Sequence, residues 1–240
     1  MDLPHVIEAE NIKIAYYNAI EFLSNNHWQY FNLIVQVEKP NAFNIENVEE
    51  FTEFYRSIGG LTPKVVASTI FPEGMYQSAR SRNELYNKYE TRLYPKAKRG
   101  RWGTYFERMI NYNHNSNSIN QLENIITKIN SRETYQKAAY TIYIQYPGSE
   151  TTRKIGAPCL NYLAVQIKSG RIGILSVYRN HDFLTRAFGN YLGLCNLIKF
   201  LSLETENEIG MLTCISSHAF IDNRKHEVLK FCRDLSDEMA

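Results

Sequence analysis

The chain has 240 residues, of which 44% are hydrophobic and 22% charged, and this composition predicts a folded globular protein. The length suits one medium-sized domain spanning residues 1–240, and no linker-like composition divides it. A formal net charge of +2 is too small to indicate nucleic-acid binding by itself, so we expect no nucleic-acid partner. One local basic cluster could contact phosphate, although a solvated loop is the simpler explanation: Lys96, Lys98, Arg99 and Arg101.

The sequence gives no indication of a membrane or secretory protein. No stretch approaches the roughly 20 apolar residues of a membrane span, and the amino terminus lacks a basic segment followed by an apolar run. The four cysteines, Cys159, Cys195, Cys214 and Cys232, form no Cys-x-x-Cys pair, so we expect no metal site. We therefore expect reduced thiols and a cytoplasmic protein without a membrane partner.

The spacing of apolar residues predicts that most of the first half is helical. The predicted helices cover residues 7–24, Asn47 to about 57, 74–93, 104–112 and 118–129, the last capped by Ser118. Alternating apolar side chains over residues 28–37 predict one strand in this half, and it ends before Pro40.

The second half is predicted to be richer in strands. The predicted strands cover residues 138–146, 160–168, 173–178 and 209–220. A mostly apolar segment over 183–202 predicts a long helix deep in the core, and Asp222 begins a polar C-terminal helix. Early helices followed by late strands predict an α+β fold with a mixed sheet flanked by helices.

Four polar positions in the second half predict a nucleotide-handling thiol enzyme. Cys159 follows a proline, Arg179 comes twenty residues later, and Asn190 and His218 follow. A free thiol is only a few per cent ionised at neutral pH, so a nearby cation favours the reactive thiolate. A carboxamide and an imidazole can both donate and accept hydrogen bonds to a ligand. For an isolated cysteine, an inert core residue would be the simpler interpretation.

Ordered segments around these positions resemble the thymidylate synthase family, which includes the pyrimidine nucleotide hydroxymethylases. The matching segments are 102–109 (Trp-Gly-Thr-Tyr-Phe-Glu-Arg-Met), 120–126 (Asn-Gln-Leu-Glu-Asn-Ile-Ile), 157–159 (Ala-Pro-Cys), 178–182 (Tyr-Arg-Asn-His-Asp), 187–190 (Ala-Phe-Gly-Asn) and 218–220 (His-Ala-Phe). The resemblance covers residues 100–238, and the first hundred residues match weakly. It implies a thymidylate-synthase-like sheet, a homodimer, a pyrimidine nucleotide substrate and the cofactor 5,10-methylenetetrahydrofolate.

The resemblance also implies roles for individual residues. Cys159 matches the nucleophile that adds to carbon 6 of the pyrimidine, which lets carbon 5 attack a one-carbon electrophile on a folate. Arg179 matches the arginine that approaches both the thiol and the phosphate. Asp182 matches an aspartate near the base and folate, Asn190 the carboxamide facing the base edge, and His218 the histidine near the sugar. Structural alternatives remain open: an N-cap for Asp182, a helix-interior hydrogen bond for Asn190 and a backbone contact for His218.

Four further residues complete the predicted site. Tyr105 belongs to the matched 102–109 segment and is expected to bind substrate. Asn180 replaces the family's serine and can still donate to phosphate. Lys137 aligns, with Gln136, where the family has two phosphate-binding arginines, and it could keep one charge. No residue clearly matches the family's catalytic glutamate. Glu73 is the first candidate and Glu53 the second.

Departures from the family pattern leave two hypotheses. Phe220 stands where the family has a tyrosine near the sugar, Leu160 follows the nucleophile in place of a histidine, and the chain ends 22 residues after His218. The first hypothesis is an enzyme that methylates or hydroxymethylates a pyrimidine nucleotide, with Asn190 slightly favouring uracil over cytosine. The second is a catalytically degenerate protein of the same fold that binds a nucleotide or a protein partner.

Overall fold

The computed structural model describes residues 3–42, 49–93, 103–114, 117–131, 140–146 and 157–237. Its strands form a seven-stranded mixed sheet and a separate hairpin. The sheet strands are β1 (His5–Ala9), β2 (Gln29–Val37), β5 (Thr141–Tyr143), β6 (Leu160–Lys168), β7 (Arg171–Tyr178), β8 (His181–Asp182) and β9 (Glu208–Phe220). They are ordered β1-β2-β9-β7-β6-β5, with β8 also paired to β9. The hairpin pairs β3 (Tyr112–His114) with β4 (Asn117–Ile119).

Helices pack against this sheet. They are α1 (Ile12–Asn25), α2 (Glu49–Ser57), α3 (Pro63–Ser68), α4 (Glu73–Gln77), α5 (Arg82–Lys88), α6 (Tyr105–Ile110), α7 (Gln121–Asn130), α8 (Ala187–Glu204) and α9 (Lys225–Asp237). A π-helical turn, Tyr89–Leu93, follows α5 directly. Among the described helices, none is both long enough and apolar enough to cross a membrane.

The long strand β9 organises the part of the sheet that matters for function. Strands β7 and β8 both run parallel to β9, on the side opposite to β2. Tyr178 pairs with Ser216 and His181 pairs with Ala219, so both strands keep one register along β9. They therefore behave as one strand that is interrupted at residues 179 and 180. The two intervening residues make side-chain contacts outside the strand pairing: Arg179 with the backbone of Pro158 and Ala157, and Asn180 with His218.

Helix α8 forms the centre of the core, as its apolar sequence predicts. Most of its residues are buried, and the helix contacts β7, β9, α1 and α3. The contact with α3 is close because α8 carries Gly189 and Gly193 on the facing side. A methyl group at Gly193 would lie 2.7 Å from the carbonyl oxygen of Ala67, and one at Gly189 would lie 2.5 Å from Cβ of Val66. The two glycines thus bring α3 against α8.

The predicted α+β class with a mixed, helix-flanked sheet is confirmed. Strand 28–37 and the late strands at 160–168, 173–178 and 209–220 lie within one or two residues of β2, β6, β7 and β9. The predicted helix over 104–112 corresponds to α6, capped by Thr104, whose Oγ1 accepts from the Glu107 amide at 3.1 Å. Of the predicted strand 138–146, residues 141–143 form β5, while Ala138 lies outside the described residues.

The predicted helix over 7–24 starts too early. Residues 5–9 form strand β1, which pairs in parallel with β2, and α1 begins only at Ile12. Asn11 caps α1, because its Oδ1 accepts from the amides of Lys13 at 3.0 Å and Ile14 at 3.1 Å. Ile7 fits a helical and an alternating pattern equally well, so its apolar character does not separate the two.

Four other predicted helices have different limits. The segment 74–93 is divided, since α4 ends at Gln77 and Ser81 caps a new helix, α5. The helix predicted from Ser118 begins at Gln121 instead, with Asn120 as its cap, because Ser118 belongs to β4. The helices predicted over 183–202 and from Asp222 begin at Ala187 and Lys225. Asn47, the predicted cap of α2, lies outside the described residues.

The α3–α8 contact gives a testable stability difference. Gly193→Ala should lower the free energy of unfolding by about 1–3 kcal/mol relative to Gly74→Ala, because the new methyl group overpacks the contact. Gly74 is the matched control, since it is also helical and a methyl group there meets nothing within 4 Å. The gain in helix propensity is therefore common to both variants. Urea unfolding at one protein concentration measures the difference, and equal midpoints with equal slopes would contradict it.

Candidate active site

A cleft of about 270 Å³ lies where the interrupted strand meets the beginning of α8. Its walls come from α3, the beginning of α6, the segment before β6 and strand β8. The last residue of β9 and the first turn of α8 complete the walls. The lining residues are Val66, Thr69, Gly103, Tyr105, Ala157, Cys159, Asn180, His181, Asp182, Arg186, Asn190 and Phe220. Five of these are residues that the sequence predicted for one site: Tyr105, Cys159, Asn180, Asp182 and Asn190. The structure brings them together from separate segments of the chain.

Arg179 holds the segment that carries Cys159. Its backbone amide donates to the Cys159 carbonyl at 2.9 Å, and its guanidinium donates from Nε to the Pro158 carbonyl at 3.0 Å and from Nη2 to the Ala157 carbonyl at 3.3 Å. Arg179 remains exposed and is not part of the cleft lining. Arg179 thus fixes the position of the segment that carries Cys159, and its guanidinium cation lies beside that segment.

The Cys159 thiol is half-buried, and burial raises its pKa above the ordinary value. The cations of Arg179 and then Arg186 lower the pKa, while the Asp182 carboxylate raises it. The predicted effect of Arg179 on the thiol is therefore present, but burial outweighs it. The protein alone thus holds Cys159 mainly as a thiol.

Asp182 shapes the turn that leads into α8. Its Oδ1 accepts from the amides of Leu184 at 2.8 Å and Thr185 at 3.1 Å, and its Oδ2 accepts from the Thr185 hydroxyl. Because α8 begins only at Ala187, Asp182 caps this turn rather than the helix, which corrects the N-cap alternative. An ionised carboxylate offers about four acceptor positions, so one remains for a ligand in the cleft.

Asn190 belongs to a buried chain of three polar side chains. Its Nδ2 lies 3.1 Å from Nε2 of His181, and Nδ1 of His181 lies 2.9 Å from Oγ of Ser216. Burial lowers the pKa of His181 to about 3, so the ring is neutral at physiological pH. The Tyr178 ring stacks on the imidazole at 4.0 Å with an interplanar angle of 2°. The partner of Asn190 is thus on β8, not within its own helix.

His218 adjoins the cleft without lining it. Its Nδ1 pairs with Oδ1 of Asn180 at 2.7 Å, across the interruption between β7 and β8. The rings of Phe31 and Phe220 stack on it at 4.9 Å and 5.4 Å. Its Nε2 is buried and has no partner among the described residues. His218 can therefore affect a ligand through Asn180. Phe220 stacks on His218 and lines the cleft, at the position where the family has its tyrosine.

Tyr105 begins α6 and forms the opposite wall of the cleft. Burial raises the pKa of its hydroxyl to about 12, with a further contribution from Cys159, while hydrogen bonds from the backbone of Leu160 and Cys159 act in the opposite direction. The hydroxyl therefore stays protonated, and it contacts the backbone of the segment that carries the Cys159 thiol. This contact places Tyr105 beside the predicted nucleophile.

The two glutamates predicted as catalytic candidates lie elsewhere. Glu73 lines a separate cavity of about 530 Å³ beside α4, where its Oε1 is 3.5 Å from Nζ of Lys199. Glu53 lines a cavity of about 460 Å³ between α2 and α9. The structure brings neither to Cys159, which corrects the expectation that Glu73 acts in the same site. Lys137 and Gln136 lie outside the described residues.

Sequence reasoning missed three residues of this region: His181, Arg186 and Ser216. His181 lies inside the quoted segment 178–182, where a histidine next to an aspartate is a visible signal. Arg186 is exposed at the cleft and lowers the pKa of Cys159. Ser216 gave no signal, because a serine in an apolar strand is common. Within the described residues, no group of three His, Cys, Asp or Glu side chains could hold a metal ion.

The fold is that of a thymidylate synthase. The structure is similar to that of thermostable thymidylate synthase A from Bacillus subtilis, with a TM-score of 0.58 and 12% identity, over 93% of this chain and 84% of that one. No family model matches the chain.

Sequence relatives agree with the fold. A curated protein from Methanosarcina acetivorans is 21% identical over 92% of this chain and 90% of its own length. Another, from Methanothermobacter thermautotrophicus, is 24% identical over 85% of this chain and 83% of its own length. Both carry the description "Putative thymidylate synthase". Together with the shared fold, these relatives support the resemblance to the thymidylate-synthase-like family that the quoted segments predict.

The charges around Cys159 predict opposite effects on its reactivity. Arg186→Gln should raise the pKa of Cys159 and slow its alkylation by iodoacetamide at pH 8, whereas Asp182→Asn should lower the pKa and speed alkylation. Each rate should change by less than about tenfold, since one pKa unit corresponds to a tenfold change in thiolate below the pKa. The reaction is followed by intact mass between pH 7 and 10.

Cys159→Ala sets the background of that experiment, because burial raises the pKa of the other three thiols, to about 12 for Cys214 and Cys232. In Asp182→Asn the asparagine keeps an Oδ1 that can accept the hydrogen bonds of the turn. The variant therefore removes the charge without removing the turn. Changes of the same sign in both variants would contradict the electrostatic account.

Proposed function

We propose that the protein transfers a one-carbon unit from 5,10-methylenetetrahydrofolate to carbon 5 of a pyrimidine nucleotide, by methylation or hydroxymethylation, through a covalent adduct on Cys159. One observation carries the proposal. Three separate motifs contain Cys159, Asn180 with Asp182, and Asn190, and all four residues line the same cleft. The thymidylate-synthase-like fold and relatives support the same reaction class.

The chemistry begins at the sulfur. Cys159 loses its proton, and the thiolate forms a bond to carbon 6 of the pyrimidine while the electron pair of the 5,6 double bond moves toward carbon 5 and the carbonyl at carbon 4. Arg179 and Arg186 favour the thiolate, because both cations lower the pKa of Cys159. After carbon 5 has bonded to the one-carbon unit and lost its proton, the folate nitrogen that carried the unit would leave. A hydride from the tetrahydrofolate would complete methylation, or water would complete hydroxymethylation, and expulsion of the Cys159 thiolate restores the 5,6 double bond.

The polar groups of the cleft fit the other parts of a nucleotide. Asn190 can read the edge of the base, because its amide carries both a donor and an acceptor. Asn180 uses its Oδ1 with His218, which leaves its Nδ2 hydrogens for a phosphate oxygen. Arg179, exposed beside this position, supplies a positive charge, and Lys137 is expected to supply another.

The polar lining of the cleft also supports a place for the cofactor. Asp182 lines the cleft and the turn leaves one of its acceptor positions unused, which would suit an N–H donor of a folate ring. When bound, methylenetetrahydrofolate supplies the one-carbon unit. Asp182 would orient it, and Tyr105 on the opposite wall would exclude water from the sulfur.

A second candidate is a catalytically degenerate nucleotide-binding protein of the same fold. Two observations favour it. Burial raises the pKa of Cys159 despite two nearby cations, and both candidate glutamates line other cavities. In this case the same cleft would still hold a nucleotide, and Cys159 would form no adduct with it.

A mechanism-based ligand separates these candidates. Incubation with 5-fluoro-dUMP and methylenetetrahydrofolate should give a covalent ternary adduct, since fluorine cannot leave carbon 5 as a proton does. Intact mass spectrometry under native and denaturing conditions measures it. Cys159→Ala should abolish the adduct, whereas Cys232→Ala, which removes a buried thiol of α9, should retain it.

The degenerate protein would give another result. Binding of the nucleotide by calorimetry, with no adduct from 5-fluoro-dUMP or 5-fluoro-dCMP, would exclude the enzyme. Absence of both binding and adduct would exclude both candidates.

We also propose that the chain forms a homodimer through its sheet. Ile34, Ile215 and Val177 are cross-strand neighbours on β2, β9 and β7, and each is only half-buried in the single chain. Their neighbours along each strand point to the buried side, where α1 and α8 pack. An apolar row across the middle of a sheet is typical of a surface that is covered in the assembled protein.

Light scattering during size-exclusion chromatography tests the dimer. The wild-type protein should have twice the 28.0 kDa mass of the chain. Ile215→Glu should give the single-chain mass, because an uncompensated charge at the centre of the interface is strongly unfavourable. Leu203→Glu is the matched control, since Leu203 is 61% exposed on α8, and it should leave the dimer intact. A monomeric wild-type protein would refute the proposal.

A further inference from the structure

A buried hydrogen-bond network links Asn190, His181 and Ser216, and the direction of one hydrogen bond determines the direction of the next. Asn190 is 3% exposed, His181 1% and Ser216 0%, so all three are withdrawn from water. Buried polar groups need partners within the protein, and each contact in this chain constrains the next. The direction of the hydrogen bonds is therefore coupled from one end to the other.

A neutral imidazole has one donor nitrogen and one acceptor nitrogen. In the arrangement observed, Asn190 donates from Nδ2 to Nε2 of His181, so the ring proton is on Nδ1 and is donated to Oγ of Ser216. The hydroxyl of Ser216 can in turn donate to the thiol of Cys214, with which it also forms a hydrogen bond. Each group has a partner of the correct type with the Asn190 amide in this orientation, and reversing the amide would require the His181 tautomer and the Ser216 hydroxyl to reverse with it.

We propose that His181 is a positioning residue that locks the amide of Asn190 in one orientation and thereby decides which pyrimidine base the cleft accepts. The inference rests on the proposed function, in which Asn190 reads the base. Nothing in it requires His181 to contact the ligand, because it acts through Asn190.

The effect on specificity follows from the two base edges. Uracil presents a donor at N3 and an acceptor at carbon 4, whereas cytosine presents an acceptor at N3 and a donor at carbon 4. A free amide can match either edge by rotating through 180°, which exchanges its oxygen and nitrogen. A locked amide matches only one edge, and the other base leaves buried polar groups without partners. His181 therefore makes Asn190 selective.

The test compares binding of dUMP and dCMP by calorimetry in four proteins. Wild type should prefer one of the two nucleotides. His181→Leu should reduce this preference by about tenfold, the equivalent of one hydrogen bond of ordinary net strength. His181→Gln should keep more of the preference, because its side-chain carbonyl can still accept from Asn190. Tyr191→Phe is the matched control, since it removes a buried hydroxyl without a described partner beside Asn190, and it should leave the preference unchanged.

The ring nitrogens of His181 provide a readout that does not depend on ligand binding. In protein labelled with ring-15N histidine, the signals absent from His181→Gln should report a protonated Nδ1 and an unprotonated Nε2 from pH 5 to 8. Ser216→Ala removes the acceptor for Nδ1, so the tautomers should mix and the base preference should fall. This variant, with His181→Gln, carries the test if His181→Leu does not fold.

The outcomes distinguish this inference from the proposed function. If wild type binds neither nucleotide, the proposed function fails and the inference fails with it. If wild type binds both equally, or if its preference is the same in folded His181→Leu, only the inference is overturned. A proton on Nε2 in the unliganded protein would also overturn it, because the amide would then have the opposite orientation.

Discussion

The pairing of β9 with the interrupted strand β7–β8 is the constraint on which the rest of the site depends. Because both parts of that strand keep one register, Asn180 lies opposite His218 and the imidazole of His181 reaches Ser216. The interruption also frees the Arg179 guanidinium to bind the segment of Cys159. A one-residue shift in this pairing would separate all of these pairs, since successive residues of a strand point to opposite faces.

Burial and charge oppose each other at Cys159, and their balance defines the state of the site. The thiol is enclosed by Tyr105 and by the segment that Arg179 holds, and this enclosure raises the pKa of Cys159. Arg179 and Arg186 act in the other direction. A ligand anion near the cations would weaken their effect on the thiol.

How much the sequence predicts depends on the kind of interaction. Periodicity predicts the apolar helix α8 and the alternating strands, because it depends only on neighbouring residues. The order of the motifs predicts that Cys159, Asp182 and Asn190 lie in one site. Strand β1 could not, since residues 5–9 become a strand only by pairing with β2. The position of Glu73 could not be predicted either, because a contact between residues distant in sequence places its carboxylate beside Lys199 and not in the cleft. Ser216 became part of the site only through the register of β9.

The buried network of Asn190, His181 and Ser216 consists of polar side chains, and this polarity points to a functional role. A histidine and a serine at fully buried positions of a central sheet add little stability, because apolar residues of similar shape would fill the same space without losing hydration. Their cost is met only if every group has a partner, and the pairs between Asn190, His181 and Ser216 meet that condition in the observed arrangement. The only member of this chain that lines the cleft with a free hydrogen-bonding edge is Asn190, and its orientation is what the other two residues determine. Selection for that orientation explains a polar core where an apolar one would fold equally well.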